Sequence, residues 1–569
     1  MGLCGGKSAS ETYRKEEGDA KAADRSACSA ERPREESASS VQRIHSESAA
    51  SRPGDAMCVM LSTVAMETSF RRMRLIHHTV GDIGSFYDLD TNKLGQGAFG
   101  YVCVGVSQET GMSRAIKSMS KARAKDTRKR YRQEILIMKM TDHPNIIKLY
   151  ETFEDKNHLF LVMELCTGGD LFNRLQTQGC FEERDAAILM QQILRPLNYM
   201  HSKMICHRDI KPENFLFLNQ APVAQNTLKI IDFGFSCTFK EGQLLTTKLG
   251  TPAYSSPQVF AGQYDQSCDL WSVGAMLYVL LSGQPPFQGR TDAEVIQNVK
   301  RGNYAFKGAT WDVVGDVAKD MVRRMLKFNP QERASAQQAL QHVYIRDSGE
   351  HEGSLAMMLT TSLVMDLRSF CSQSLLRRAA LQVVAMQLLQ EETESLRRAF
   401  EALDSRGAGV LTVTELKASM DGHEIGDLRP EFDQVVKELS TFDSEGRGDD
   451  TEIGFTDFLA ATLEAKHFQK VGACRAAFRA FDRDGDGRIT ALELEHVLMG
   501  GTYTSEGGSR CGGGGGDDDW GDISPSGSRR TSKGLEIRNL IRGVDANGDG
   551  VIDFSEFKVM LQGDTISAV

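Results

Sequence analysis

The sequence predicts an α+β domain of two lobes followed by an all-α domain, and three observations carry that prediction. A glycine-rich turn at Leu94-Gly95-Gln96-Gly97-Ala98-Phe99-Gly100-Tyr101-Val102 is continued by valines at alternate positions and then by helix-period segments. A polar loop, His207 to Asn214, is followed by the buried-strand pattern Leu228-Lys229-Ile230-Ile231, which ends on Asp232. Two acidic twelve-residue loops, Asp482 to Glu493 and Asp545 to Glu556, sit between helix-period runs near the end of the chain.

At 569 residues the chain exceeds what one hydrophobic core can serve, so several domains are expected. Apolar residues at 40% and charged residues at 25% are ordinary for globular protein. A net charge of -10 argues against nucleic acid as the main partner, because phosphate backbones favour basic faces. The 12 cysteines form no CxxC pair, which fits reduced thiols in a cytoplasmic protein better than disulfides or zinc. No apolar run reaches bilayer length and the start carries no signal-peptide pattern.

Residues 1–55 are rich in Ser, Ala, Glu, Arg and Lys and nearly free of aromatics, so they read as disordered. Their first residues, Met1 to Lys7, approach the myristoylation pattern, with Gly6 where a hydroxyl residue is wanted. One acyl chain anchors only marginally, so Cys4 would have to supply a second lipid. Acylation at Gly2 and Cys4, and membrane association with it, stays open at this point. Residues 56–86 read as an N-terminal extension, with Ala56 to Ala65 as a loop or a helix packed on the next domain.

In residues 87–345 the glycines would let backbone amides approach phosphate oxygens, and the alternating valines favour a hairpin over a strand–helix turn. Ala115-Ile116-Lys117 lies on a strand-like run, and Glu134, in a helical-period segment, is the natural partner of Lys117. Leu159 to Met163 reads as a strand leading to Glu164 and Cys166, with Asp170 after two glycines. In His207-Arg208-Asp209-Ile210-Lys211-Pro212-Glu213-Asn214, Asp209 would accept the hydrogen bond of an attacking hydroxyl, Lys211 would offset phosphoryl charge, and Asn214 would ligate magnesium. Asp232, in Asp232-Phe233-Gly234, would bind magnesium at the β- and γ-phosphates.

Taken together these motifs resemble the eukaryotic protein kinases. The resemblance implies a two-lobed kinase fold using Mg2+ and ATP, with Leu94, Gly95, Gly97, Val102, Lys117, Glu164, Cys166 and Asp170 around the nucleotide and Met163 guarding the adenine pocket. Lys211 and Thr251 are similar to the Ser/Thr kinases, and Phe235 to members that favour serine. Glu213 and Asp170 resemble acidic readers of arginine upstream of the phosphorylated residue. Arg208 is placed to pair with a phosphate on Thr246 or Thr247. One departure is Gln258 in Ser256-Pro257-Gln258, where the family has a glutamate that pairs with the arginine matching Arg333. Gln258 can hydrogen-bond that arginine without neutralising it, so the activation segment should be less firmly held.

From Leu363 to Leu389, within residues 346–392, apolar positions recur at helical spacing and are interrupted by Arg368, Arg377 and Arg378. Such a basic amphipathic helix reads as a calmodulin-type target or as a helix packed on its own domain. In residues 393–569, Asp482, Asp484, Asp486, Arg488 (through its carbonyl) and Glu493 fit every ligand position of an EF-hand loop. Asp545, Asn547, Asp549, Val551 (through its carbonyl) and Glu556 form a second complete set, and Ile489 and Ile552 are placed to pair the two loops. Two copies are degenerate: Asp404 to Glu415 offers Arg406 and Ala408 where oxygens are needed, and Asp443 to Asp457 is stretched. The loops start at Asp404, Asp443, Asp482 and Asp545, an interval of 39 residues twice and then 63. A Gly/Ser/Asp-rich insert around Gly500 to Arg530 accounts for the excess, and its acidic run Asp517-Asp518-Asp519 reads as solvated.

Kinase, basic junction and four EF-hand units in this order resemble the calcium-dependent protein kinases of plants and alveolate protists. The resemblance implies a Ser/Thr kinase held inactive by its junction at low Ca2+ and released when its own EF-hands load, through an intramolecular contact between kinase and EF-hand domain. A calcium-responsive pseudokinase scaffold is the alternative, motivated by Gln258 and the irregular first EF lobe.

Overall fold

The computed structural model describes residues 73–97, 100–122, 125–347, 366–367, 369–370, 372–388, 390–412, 414–416, 418, 452–463, 471–499 and 530–562. The acylation motif, Ala56 to Ala65, Leu363, Arg368, the Asp443 start of the second EF loop and the acidic insert lie outside these residues.

Six strands form the first lobe: β1 (His77–Val80), β2 (Tyr87–Gly97), β3 (Gly100–Ser107), β4 (Ser113–Ser120), β5 (Leu149–Glu154) and β6 (His158–Met163). They lie in the order β1-β5-β6-β4-β3-β2. β2 and β3 are neighbours across the glycine-rich turn and no helix follows the glycines, as the alternating valines predict. β4 pairs with β3 on one side (Val102↔Lys117) and with β6 on the other (Lys117↔Leu161), so the backbone of Lys117 is fixed from both flanks. Helix α1 (Lys125–Met140) buries Ile135, Ile137 and Met138 and carries Glu134. The sheet also differs from expectation at its edge: residues read as an extension before position 87 supply β1, which runs parallel to β5 with His77↔Glu151 and Val80↔Glu154. A four-residue strand bearing two histidines has too little apolar alternation to be read from sequence.

The second lobe is built on α2 (Leu171–Gln178), α3 (Glu183–Ser202), α4 (Ser267–Ser282) and α5 (Asp316–Met325). α4 is buried from Cys268 to Leu281, with Trp271 in its N-terminal half fully enclosed. Two small ladders frame the polar loop: β7 (Ile205–Cys206) with β10 (Cys237–Thr238), and β8 (Phe215–Phe217) with β9 (Leu228–Ile230). The first precedes His207, and the second brings Asp232 back beside it.

The expected single helix from Leu363 to Leu389 is broken. Its C-terminal part is α6 (Leu375–Gln387), and it starts where Ser374 caps the amide of Arg377 at 3.3 Å, ending any helix that arrives from Phe370. Leu376, Leu381 and Val384 of α6 enter one core with α7 (Gln390–Leu403), α8 (Phe455–Thr462), α9 (Val471–Phe481), α10 (Arg530–Arg542) and α11 (Phe554–Gln562). Leu75, from ahead of β1, joins the same core. The loops of this helical domain pair through β11 (Val410–Thr412) with β12 (Glu452–Gly454), and β13 (Arg488–Ile489) with β14 (Ile552–Asp553), where Ile489 faces Ile552 as expected.

Candidate active site and regulatory loops

Lys117, from the middle of β4, reaches Glu134 of α1 at 2.6 Å and Asp232 at 3.4 Å. Burial alone would lower the Lys117 pKa, but the two carboxylates raise it, so the ammonium is held charged. Asp232 is pushed up by burial and pulled below its usual range by Lys117 and the amide of Gly234, which donates to it at 3.1 Å. These three side chains, from separate elements, converge on one point.

Asp209 sits in a second cluster. Lys211 approaches its Oδ2 at 2.8 Å, Thr251 donates to Oδ1 at 3.0 Å, and the Asn214 amide donates to its carbonyl oxygen at 2.7 Å. Because the Asn214 nitrogen is committed to Asp209, its amide oxygen is turned the other way. The loop is suspended from Asp269 of α4, which accepts the amides of His207 at 2.9 Å and Arg208 at 2.8 Å. Burial would push Asp269 up, yet the hydrogen bond from His201 and the neighbouring imidazoles hold it at about 2. Those amide bonds hold Arg208 in the left-handed region, at φ 69°, where its guanidinium donates to the carbonyl of Phe235 at 2.6 Å. Thr246 and Thr247 are exposed.

Around the candidate nucleotide cleft, Leu94 is exposed, Val102 is half-buried opposite Lys117, and Met163 is buried. Gly95 and Gly97 close the end of β2. The Glu164 carboxylate is not in the cleft: it turns inward to Lys229 at 3.0 Å, a buried ion pair that sequence reading missed, so a nucleotide would meet only the backbone of this residue. Burial pushes the Cys166 thiol up to about 12, so it stays protonated. Asp170 N-caps α2, accepting the Asn173 backbone amide on Oδ1 at 2.7 Å and its side-chain amide on Oδ2 at 2.6 Å, and each oxygen's second lone pair is what a ribose or a basic side chain could use. Glu213 is exposed beside the polar loop. Gln258 does hold Arg333, at 3.1 Å, and the guanidinium also donates to the carbonyls of Ser267 (2.8 Å), Lys327 (3.1 Å) and Phe328 (3.5 Å) and to the Ser267 hydroxyl (3.2 Å). Neutral acceptors thus satisfy Arg333 where the family uses a carboxylate.

In the third EF loop Asp482 accepts the amides of Gly485 (2.8 Å) and Gly487 (3.0 Å), and Glu493 accepts those of Arg483 (2.7 Å) and Thr490 (2.8 Å). Oxygens of Asp482, Asp484 and Glu493 gather within 4.8 Å of one another, a donor set that fits a hard divalent ion. The fourth loop repeats this pattern: Asp545 accepts from Gly548 (2.7 Å) and Gly550 (2.8 Å), and Glu556 from Ala546 and Asp553 (both 2.9 Å). Asp486 and Asp549 accept the amides of Arg488 and Val551, the two residues expected to ligate through their carbonyls.

The first loop keeps the same frame and fills it differently. Asp404 accepts the amides of Ala408 and Gly409, both at 2.8 Å, and Glu415 accepts from Thr412 at 3.0 Å. The Arg406 guanidinium then reaches both Glu415 oxygens, at 3.2 and 3.3 Å. Sequence reading saw Arg406 only as a missing oxygen; the retained terminal glutamate was the signal that a cation was still wanted. This loop also docks on the second lobe. Asn198 of α3 donates to the Gly407 carbonyl at 2.9 Å, and Arg195 of α3 lies 3.4 Å from Glu401 of α7, just ahead of the loop. Separately, Thr456 of α8 donates to Asp142, between α1 and β5, at 2.7 Å. On the other side Arg479 of α9 grips Glu151 of β5 through both oxygens at 2.8 and 2.9 Å. Asp457, the last position of the second loop, accepts a hydrogen bond from Gln382 of α6.

Comparison with known families agrees with this division. The protein kinase domain family matches residues 89–345, and the EF-hand domain pair is matched twice, at residues 449–494 and 473–562. Calcium-dependent protein kinase 3 of Plasmodium berghei is 37% identical over 87% of this chain and 83% of its own. Calcium-dependent protein kinase 7 of Oryza sativa is 34% identical over 83% and 81%, and calcium-dependent protein kinase 34 of Arabidopsis thaliana 32% over 84% and 85%. A lysine–glutamate–aspartate cluster in one lobe, an aspartate–lysine–threonine cluster in the next, and paired helical loops at this level of likeness lead to one conclusion: the chain belongs to the calcium-dependent protein kinase family.

Proposed function

We propose that the chain transfers the γ-phosphoryl group of ATP to protein Ser/Thr hydroxyls and that calcium taken up by its own EF-hands switches this on. The observation that carries the reading is the convergence of Lys117, Glu134 and Asp232 beside the Asp209, Lys211 and Thr251 cluster. Lys117 holds nucleotide phosphates by charge. Asp209 accepts the hydrogen bond of the incoming hydroxyl and takes its proton, while Lys211, 3.1 Å from Thr251, offsets charge on the phosphoryl group in flight. Asn214 and Asp232 would hold magnesium, which when bound neutralises phosphate charge. Gln258 gives the pseudokinase alternative no support, since its amide holds Arg333.

Calcium would be held by the third and fourth loops. Opening of their helix pairs would change what α6 packs against, and that difference in binding supplies the switching energy. The first loop takes up no calcium in this reading because Arg406 already supplies its positive charge. Exposed Glu213 and the free lone pairs of Asp170 favour substrates with arginine upstream of the acceptor. Attachment to a membrane through acyl groups on Gly2 and Cys4 rests on the motif alone; among the described residues no helix is long and apolar enough to cross one.

The test is transfer of labelled phosphate to a basic serine peptide with and without chelator, using Asp209→Asn as control. Calcium-stimulated transfer that Asp209→Asn abolishes is expected. A protein loaded with calcium, magnesium and ATP that labels neither peptide nor itself would overturn the reading.

A further inference from the structure

A cavity of about 610 Å³ opens on the first lobe between the N-terminal half of α1 and the β5–β6 turn, away from the nucleotide side. Its floor is apolar, made by the buried Tyr131 and Leu159. Its rim is basic: Lys121, Arg128, Arg132 and Lys156 all line it, and Arg128, Arg132 and Lys156 are exposed. Among the described residues that line it the one carboxylate, Glu154, is already taken by Lys121. In a chain whose net charge is -10, a basic groove with an aromatic floor calls for an acidic, aromatic occupant.

We infer that this groove is the docking site for the Asp517-Asp518-Asp519-Trp520 stretch of the same chain. Three carboxylates match the rim and the indole matches the floor. Reach is compatible. The stretch belongs to the chain leaving the third hand, whose Arg483 bonds the backbone of Arg74 just ahead of β1. The far end of β1 pairs Val80 with Glu154 at the cavity, and such a strand spans only about 10 Å. A Gly/Ser-rich segment from Gly500 to Arg529 reaches on the order of 30 Å. Occupancy would brace α1, where Tyr131 lies one turn before Glu134 and so behind the Lys117 ion pair of 2.6 Å. Only that last consequence rests on the kinase reading, and docking is measurable without it.

Trp271 and Trp311 are buried, so acrylamide quenching of the full chain reports mainly on Trp520, with Trp520→Phe as the blank. At low salt Trp520 should be shielded relative to the free peptide Gly516–Asp522 and lose that shielding at high salt. Arg128→Glu with Lys156→Glu, both exposed positions, should weaken docking roughly tenfold and bring quenching toward the peptide's value. Adding Asp517→Lys, Asp518→Lys and Asp519→Lys to that variant should restore shielding. Trp520 as exposed as the free peptide in the parent protein, or shielding indifferent to the rim charges, would overturn the proposal whatever the phosphotransfer activity.

Discussion

The first and third EF loops share one frame and differ in where the positive charge comes from. In each, the leading aspartate accepts two backbone amides and the closing glutamate accepts those at its own N-terminal turn. At the third position the first loop has Arg406, whose guanidinium reaches Glu415, whereas the third loop has Asp484, which adds a further carboxylate. One hand is built around a cation that cannot leave, and in the proposed reading the other would hold a cation that can. On that reading only the latter would report a concentration, while the first is held on α3 as a fixed mount.

That contrast can be broken most forcefully at the closing glutamates. Glu493→Gln combined with Glu556→Gln should raise the calcium needed for half-maximal peptide phosphorylation on the order of tenfold or more, because each removes an oxygen able to bind in bidentate fashion. Undiminished stimulation at matched calcium would mean that the sensor lies elsewhere. The mount is tested at Gly409, where φ is 69° and a Cβ would lie 2.5 Å from the His143 ring and 2.9 Å from that of Tyr199. Gly409→Val should therefore cost about 2–4 kcal/mol in thermal unfolding and expose the α3 interface to protease.

A subtler change sharpens the comparison. Arg406→Asp returns an oxygen to the third position, so the first hand should lose about 1 kcal/mol without calcium and regain it when calcium is added; the loss is small because the Arg406 side chain is 46% exposed. Equal stability of parent and variant in chelator would show the guanidinium to be dispensable. Smallest of all, chelation of the unaltered protein should raise amide exchange in residues 482–493 and 545–556 while leaving 404–412 as it was. Parallel loosening of all three loops would erase the distinction between them.

Much of this was legible in the residues because the chemistry fixes the spacing. Lys117, Glu134, Asp209, Asn214 and Asp232 must be where they are to meet, and two complete EF-hand loops advertise themselves through oxygen donors at the positions such a loop requires. What was hidden is whatever depends on a partner far along the chain. Nothing near Glu164 announces Lys229, nothing near Leu75 announces the helical core, and β1 is too short and too polar to declare itself before β5 pairs with it. Ser374 does carry a local signal, a capping residue before an apolar run, but the continuous periodicity on either side masked the break.

Lys148 stands between two parts of the molecule. Its side chain donates to the carbonyl of Met386 at the end of α6 at 3.5 Å, and its backbone exchanges hydrogen bonds with Glu164, at 2.9 and 3.4 Å, on the strip that would border adenine. Binding equilibria joined in this way must be reciprocal. A compound wedged against residues 164–166 should tighten or weaken as the ion sensor fills, and the same compound should shift the sensor's affinity by the same factor. Inhibitor potency quoted without the free calcium level would then describe a mixture of two receptors.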